Sequence, residues 1–247
     1  MPYEGREKMI WVRRSAIAAL FILFVFGFKY IEALYGLFVP QRPAIVERTA
    51  MYVLVWQHLV IALVPTLAAL AVSATAGCLL HVYGSEETKS LAVSLGSIGE
   101  TFPSVAIIAL SVPVLGYGNL PCMLALFVYA VLPILRNTVT GLAEVPRGVT
   151  EAAKGMGMDK LQMLFKVELP LAWPVMAAGL RVALIINISA ATLGATVGAG
   201  GLGIPIVAGI RTYDTLMVMK GTMPVLLMAL FADSMFAGAD GKRSRNG

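Results

Sequence analysis

Charge is what this chain has little of. Of its 247 residues only 13% are Asp, Glu, Lys or Arg, where an ordinary soluble domain carries about 25%. The deficit is uneven: no charged side chain occurs between Arg48 and Glu86, between Glu100 and Arg136, or between Arg181 and Arg211. Runs of that kind have no wet face, which excludes a soluble helical core and fits membrane spans of roughly 20 residues. Cysteine and histidine are scarce, two of each. Cys78 and Cys122 lie in apolar runs with no CxxC, and His58 and His81 stand singly near the two ends of one run. They read as small hydrophobes and isolated imidazoles rather than a disulfide or a metal site. A G-x-x-x-x-G-K-[ST] loop is missing too, so the chain has no Walker-type means of hydrolysing ATP by itself. The net charge of +5 would suit nucleic acid, but the positives flank apolar runs as membrane topology requires. No nucleic acid, metal or cofactor is expected.

What is present is an all-α, polytopic membrane bundle of about six spans. They fall at about 15–28, within 52–80, at 99–115, 120–135, 171–197 and 221–236. The first is read as a retained helix; a signal peptide is the rival, but no small-x-small cleavage site follows Arg13 and Arg14 and their apolar run. Gly116, Tyr117, Gly118, Asn119 and Pro121 make the turn of a hairpin between the third and fourth spans. The chain divides into residues 1–48 with the first span and an external loop, 49–236 as the transmembrane domain, and a tail at 237–247. With six spans both termini share a side. That side receives Arg6, Lys8, Arg13, Arg14, Lys89, Arg136, Arg147, Lys154, Lys160, Lys166, Lys242, Arg243 and Arg245, against Arg42, Arg48, Arg211 and Lys220 opposite. The richer side is cytoplasmic, and so is the long loop at about 137–170. The expectation is a multi-pass protein of a bacterial or archaeal cell membrane with both termini in the cytoplasm.

That loop holds a polar, helix-prone island, residues 151–170, EAAKGMGMDKLQMLFKVELP. Pro146 suits a first helical turn, and Glu151 follows where the helix dipole favours a carboxylate. Val149, Ala152, Ala153 and Met156 share a face at helical spacing. Gly155 and Gly157 weaken the helix, and Asp159 can start a second one carrying Leu161, Leu164 and Phe165. Pro170 closes the segment at the membrane entry. The expected form is a short helix, a glycine bend and a second helix along the membrane surface. An interfacial helix without a partner is the plain reading; a docking element is the other, because Ala152, Ala153 and the glycines leave the backbone approachable.

The spacing resembles a known motif. Glu151-Ala152-Ala153, three residues, Gly157, nine residues, then Val167-Glu168-Leu169-Pro170 is similar to the E-A-A-x3-G-x9-I-x-L-P signature of bacterial ABC importer permeases, with Val for Ile. Glu100-Thr101-Phe102-Pro103-Ser104, residues 132–138, Lys154-Gly155-Met156-Gly157-Met158, Lys166-Val167-Glu168-Leu169-Pro170 and Ile185-Ile186-Asn187-Ile188 resemble the glycine betaine/carnitine/choline branch. Many members have Gln where this chain has Glu100. The resemblance implies a five-helix importer-permease core plus an N-terminal helix. It implies that Glu151, Ala152, Ala153, Gly157 and Pro170 couple the permease to ATP-binding subunits, which use the ATP. It also implies an external solute-binding protein and a second permease, identical or related, in the lipid bilayer. The chain itself would be a transport subunit, not an enzyme.

Other constellations carry less. Gly198-Ala199-Gly200-Gly201-Leu202-Gly203 satisfies G-x-G-x-x-G, but a membrane run precedes it and Pro205 follows, so a glycine-rich bend at the outer mouth is the reading, by packing or by gating. Arg181 pairs with Glu100 or Asp233, as a structural ion pair or as part of a path. Asn187, Ser189 and Thr192 lie midway along the fifth span, either as interhelical glue or, with Glu100, as a translocation path. Rival functions are the same machine for methionine or a sulfonate, an ion-coupled secondary transporter, which would call for inverted repeats, and a membrane enzyme, for which no acid or histidine cluster is in sight.

Overall fold

A computed structural model describes residues 3–38, 49–101 and 103–243; within it, the side chains of 3–8, 10, 29, 31–38, 95–101 and 237–243 lie outside the described residues. Among the described residues every regular element is helical. The order is α1 (Tyr3–Phe38), α2 (Met51–Tyr83), α3 (Glu86–Thr101), α4 (Ser104–Leu115), α5 (Asn119–Ala143), α6 (Arg147–Gly155), α7 (Lys160–Met163), a π turn (Leu164–Glu168), α8 (Leu169–Ala190), a 3₁₀ turn (Ala191–Val197), α9 (Gly203–Arg211) and α10 (Thr215–Arg243). Five stretches among them are long and apolar enough to cross a membrane.

Contacts fix the directions. Ser73 Oγ donates to the Val131 carbonyl at 3.0 Å, and Gly77 lies against Thr138, so α2 and α5 run parallel. Gly179 sits on Pro133 and Asn137 while Gly141 sits on Ala172, so α8 runs antiparallel to α5. Arg181 meets Asp233 while Gly221 lies against Leu202 beyond the far end of α8, and Arg14 donates to the carbonyls of Ser234 and Met235 while Lys220 stands 5.0 Å from the Phe28 ring centroid, so α10 is antiparallel to both α8 and α1. Two parallel helices require the chain between them to return across the bundle. α3 and α4 do this, both packed on α5. This differs from a single third span at 99–115: α4 has 12 residues, roughly 18 Å of helix, too short to cross about 30 Å alone. Pro103, the residue before α4, splits the crossing in two. The polar α3 opens with Ser85 capping Thr88, and Lys89 bonds Glu86 at 2.7 Å, holding that carboxyl below the usual carboxylate range.

The core between α2, α5 and α8 is built on small residues. A Cβ on Gly179 would meet the Pro133 carbonyl oxygen at 2.5 Å, so only glycine lets α8 approach α5 there, the packing expected where lipid supplies no hydrophobic drive. Ala62, Ala69, Ala130 and Ala183 are fully enclosed along the same seams. The bundle therefore has two ends. The glycine end holds residues 198–203, the start of α2 and the start of α10. The island end holds residues 151–170, the close of α2 and the partners of Arg14.

Candidate coupling segment

The island folds as a helix, a glycine turn and a longer rod. α6 starts directly after Pro146. Its close is a Schellman motif: the Gly157 N–H bonds the Lys154 carbonyl at 2.9 Å and the Met158 N–H bonds the Ala153 carbonyl at 3.2 Å. Gly157 has φ +79° with open space around it. The spacing from Ala153 to Gly157 is thus the distance from the last full helical turn to its left-handed stop. Asp159 then caps α7 reciprocally with Gln162, accepting from the Gln162 N–H at 2.8 Å.

The second helix does not lie apart along the membrane surface. α7 runs through the π turn into α8 without a break, and Pro170 is not a terminus but sits at the head of α8. A proline inside an unbroken α-helix clashes with the carbonyl four residues back. Here the preceding Leu169 N–H reaches the Leu164 carbonyl, five residues back, and the widened turn precedes the ring. The expected apolar faces also divide. Ala153 and Leu164 are buried; Val149, Ala152, Met156, Leu161 and Phe165 are exposed, as is Glu151. The exposed set forms an apolar surface with Lys154, Lys160 and Lys166 around it in the chain, fit to meet another protein.

One feature escaped the sequence reading. His81 Nε2 lies 3.1 Å from Glu168 Oε2, and that carboxylate side chain is only 5% exposed. No local signal joins residue 81 to residue 168; the approach of the close of α2 to this segment brings them together. Beside the pair, Lys160 Nζ stands 5.9 Å from the Tyr83 ring centroid.

The remaining candidates separate by depth. Arg181 binds Asp233 through Nε at 2.8 Å and Nη2 at 2.6 Å, with both side chains about a third exposed. The Glu100 side chain lies outside the described residues, so that alternative partner is not described. Asn187 is fully buried and donates to Thr66 Oγ1 at 2.7 Å, joining α8 to α2. Ser189 points away from that contact and is exposed, and the Thr192 hydroxyl donates to the Ser189 carbonyl at 2.8 Å. Asn187 is therefore an interhelical bond, and Ser189 is the one that faces outward of these three. At the glycine end, Gly201 and Gly200 donate to Gln57 Oε1 and Asn119 Oδ1 at 3.1 and 3.0 Å. Those N–H groups are committed to side chains, so this turn is no phosphate loop. Among the described residues no cluster of three His, Cys, Asp or Glu gathers.

Comparison with known proteins agrees with this geometry. Residues 70–241 match the family model described as "Binding-protein-dependent transport system inner membrane component". The carnitine transport permease protein OpuCB of Listeria monocytogenes is 39% identical over 178 residues, 72% of this chain and 81% of that protein. The choline transport system permease protein OpuBB of Bacillus subtilis is 37% identical over 76% of this chain and 85% of that protein. The osmoprotectant import permease protein OsmY of Salmonella typhimurium is 38% identical over 73% and 77%. Among solved structures, a chain of the inward-facing MetNI methionine ABC transporter is similar with a TM-score of 0.64 at 25% identity, covering 74% of this chain and 93% of that one.

Proposed function

The chain belongs to the family of binding-protein-dependent transport system inner membrane components, and from that membership we propose that its path carries a quaternary-ammonium osmoprotectant of the glycine betaine, choline or carnitine type. It is a multi-pass permease component of an ABC importer. Three relatives that move carnitine, choline or osmoprotectants, each covered over more than two thirds of its length, support the solute class.

The observation that carries the coupling role is the 151–170 segment: an exposed helix, stopped by a Schellman glycine and fused through a π turn to the buried α8. Glu151, Ala152, Ala153 and Gly157 present α6 to an ATP-binding subunit, and Pro170 marks where the segment becomes the span. Two such subunits bind and hydrolyse the ATP, and a second permease, identical or related, completes the pathway. An external binding protein delivers the solute at the glycine end. The island end, with both termini, faces the cytoplasm, as the Lys and Arg distribution requires. Closure of the ATPase pair pushes α6 and biases the bundle between inward and outward openings, a population shift set by differential affinity.

The test is uptake of radiolabelled glycine betaine, choline and carnitine into vesicles bearing the whole complex, with and without ATP. ATP-dependent uptake that methionine fails to compete supports the reading. Uptake that persists without the ATP-binding subunit, or that only methionine competes, overturns it. Methionine is the named competitor because the similar solved transporter moves it.

A further inference from the structure

α8 is joined to the coupling segment through the backbone, but α2 is not. A cleft of about 340 Å³ is lined by the close of α2, from Ala74 to Tyr83, and by Leu161, Leu164, Phe165 and Leu169, while Ala74, Cys78 and Val82 of α2 pack on the cluster that holds Leu164. Apolar contact of this kind is non-directional. Across the same junction His81 Nε2 meets Glu168 Oε2 at 3.1 Å, beside the Lys160 contact with Tyr83. Glu168 is buried inside the protein, where a carboxylate without a partner is strongly disfavoured. It is aimed at His81 by the π turn that it ends. The E-A-A signature leaves this position open, between Val167 and Leu169.

We propose that His81 and Glu168 are positioning residues for coupling: they tie the π turn to α2, so that a displacement of α6 and α7 moves α2 together with α8. This rests on the reading that α6 docks an ATP-binding subunit. The consequence is mechanical. α2 is bonded to α8 further up the bundle by Asn187 to Thr66 and by His58 Nε2, 2.9 Å from the Ile188 carbonyl oxygen. With the tie in place the two helices are pinned at both ends of their contact and turn as a unit. Without it, α8 alone follows the ATPase.

The experiment uses the whole complex in nanodiscs, with Cys78 and Cys122 replaced by Ala and spin labels on Tyr83→Cys and Met156→Cys, both exposed positions. Distances are recorded nucleotide-free and with ATP and vanadate. The expected result is a separation unchanged on nucleotide trapping with the native pair. In Glu168→Leu and His81→Leu it should shift by about 5 Å, the scale of one helical turn. Glu168→Gln, which still accepts from the imidazole N–H, should restore the native pattern. The exchanged pair, His81→Glu with Glu168→His, should restore it too. The proposal is overturned if the Leu variants keep the native separation, or if they lose it and neither Gln nor the exchange brings it back. Should the Leu variants fail to assemble, a Gln or exchanged complex that also loses the separation overturns it, and one that keeps it supports it. Cross-linking from Ala152→Cys to the ATP-binding subunit checks the docking itself. Its absence with the native pair would count against α6 as the docking helix, while its presence with no response to the Leu variants would count against the tie alone.

Discussion

At the glycine end, backbone N–H groups of Gly200 and Gly201 are held by Asn119 and Gln57, the Gly118 N–H reaches the Val197 carbonyl, and Ala199 and Leu202 are almost fully enclosed. At the island end, Val149, Met156, Leu161 and Phe165 stand open, a cleft is lined by α2 and the segment, and the His81 to Glu168 pair and the Lys160 to Tyr83 contact cross beside it. One end is clamped by bonds to backbone N–H groups. The other leaves apolar side chains exposed. The contrast assigns different work to two glycine turns that look alike in sequence: residues 198–203 lock helices together, whereas Gly157 only stops a helix. The outer glycine run is closely packed and bonded, as the packing reading of it requires.

The largest effect should come from crowding the clamped end. A Cβ on Gly201 would lie 3.1 Å from the His58 Cα, at φ +90°. Gly201→Val combines overpacking with left-handed strain, each costing about 1–3 kcal/mol. The thermal midpoint of the detergent-solubilised protein should fall sharply. An unchanged midpoint would show that the turn is slack and dissolve the contrast between the ends.

The same exchange at the island end should do less to the fold and more to assembly. Gly157 has open space around it, so Gly157→Val meets only the left-handed penalty of about 1–2 kcal/mol. The permease should still insert with a small loss of midpoint, while co-purification of the ATP-binding subunit drops because the Schellman stop no longer sets the angle of α6. Equal midpoint losses for the two glycine variants would break the comparison. A smaller effect is expected for Gln57→Ala, which removes the acceptor for the Gly201 N–H and should lower stability by about 1 kcal/mol without touching ATPase binding.

How far the sequence foretold this depends on the kind of signal. Charge-free runs marked the spans because lipid excludes charge regardless of tertiary context. The glycine stop at Gly157 and the start at Asp159 were readable because caps are local chemistry. The pairing of Arg181 was left between two acids, and only the geometry brings Asp233 to it, since α10 folds back a whole span later. α3, α9 and the broken third crossing were not read. Their hydropathy is mixed or their length short; the parallel run of α2 and α5 defines the broken crossing, and packing on α10 and the 3₁₀ turn places α9, both long-range facts. The π turn and the His81 to Glu168 pair were invisible for the same reason: nothing local ties residue 81 to residue 168. Asn187 and Ser189, two residues apart, fall on different sides of α8, and Thr192 lies beyond it in the 3₁₀ turn, so nearness in sequence did not place the three together.

Phe165 gives the smallest expected change in the isolated permease and the cleanest separation of the two ends. Its side chain is 64% exposed on the second residue of the π turn, so its replacement leaves the backbone bonds of that turn in place. Surface substitutions away from special features stay within about 0.5 kcal/mol, so Phe165→Ser should leave the midpoint of the permease alone nearly unmoved. Its neighbours Leu161 and Met156 are exposed too, and together they offer the apolar centre that a partner would desolvate. A buried aromatic anchor in such a centre is worth about 2 kcal/mol or more on truncation, roughly a thirtyfold loss in affinity for the ATP-binding subunit. Titration of that subunit onto nanodisc-held permease would read it directly. If the affinity holds while the midpoint falls, Phe165 belongs to the packing of the fold or to lipid, and the island end is less open than its exposure implies. If the affinity falls and the midpoint holds, the two ends differ as their bonding says they should: one is finished within this chain, and the other is finished by a partner.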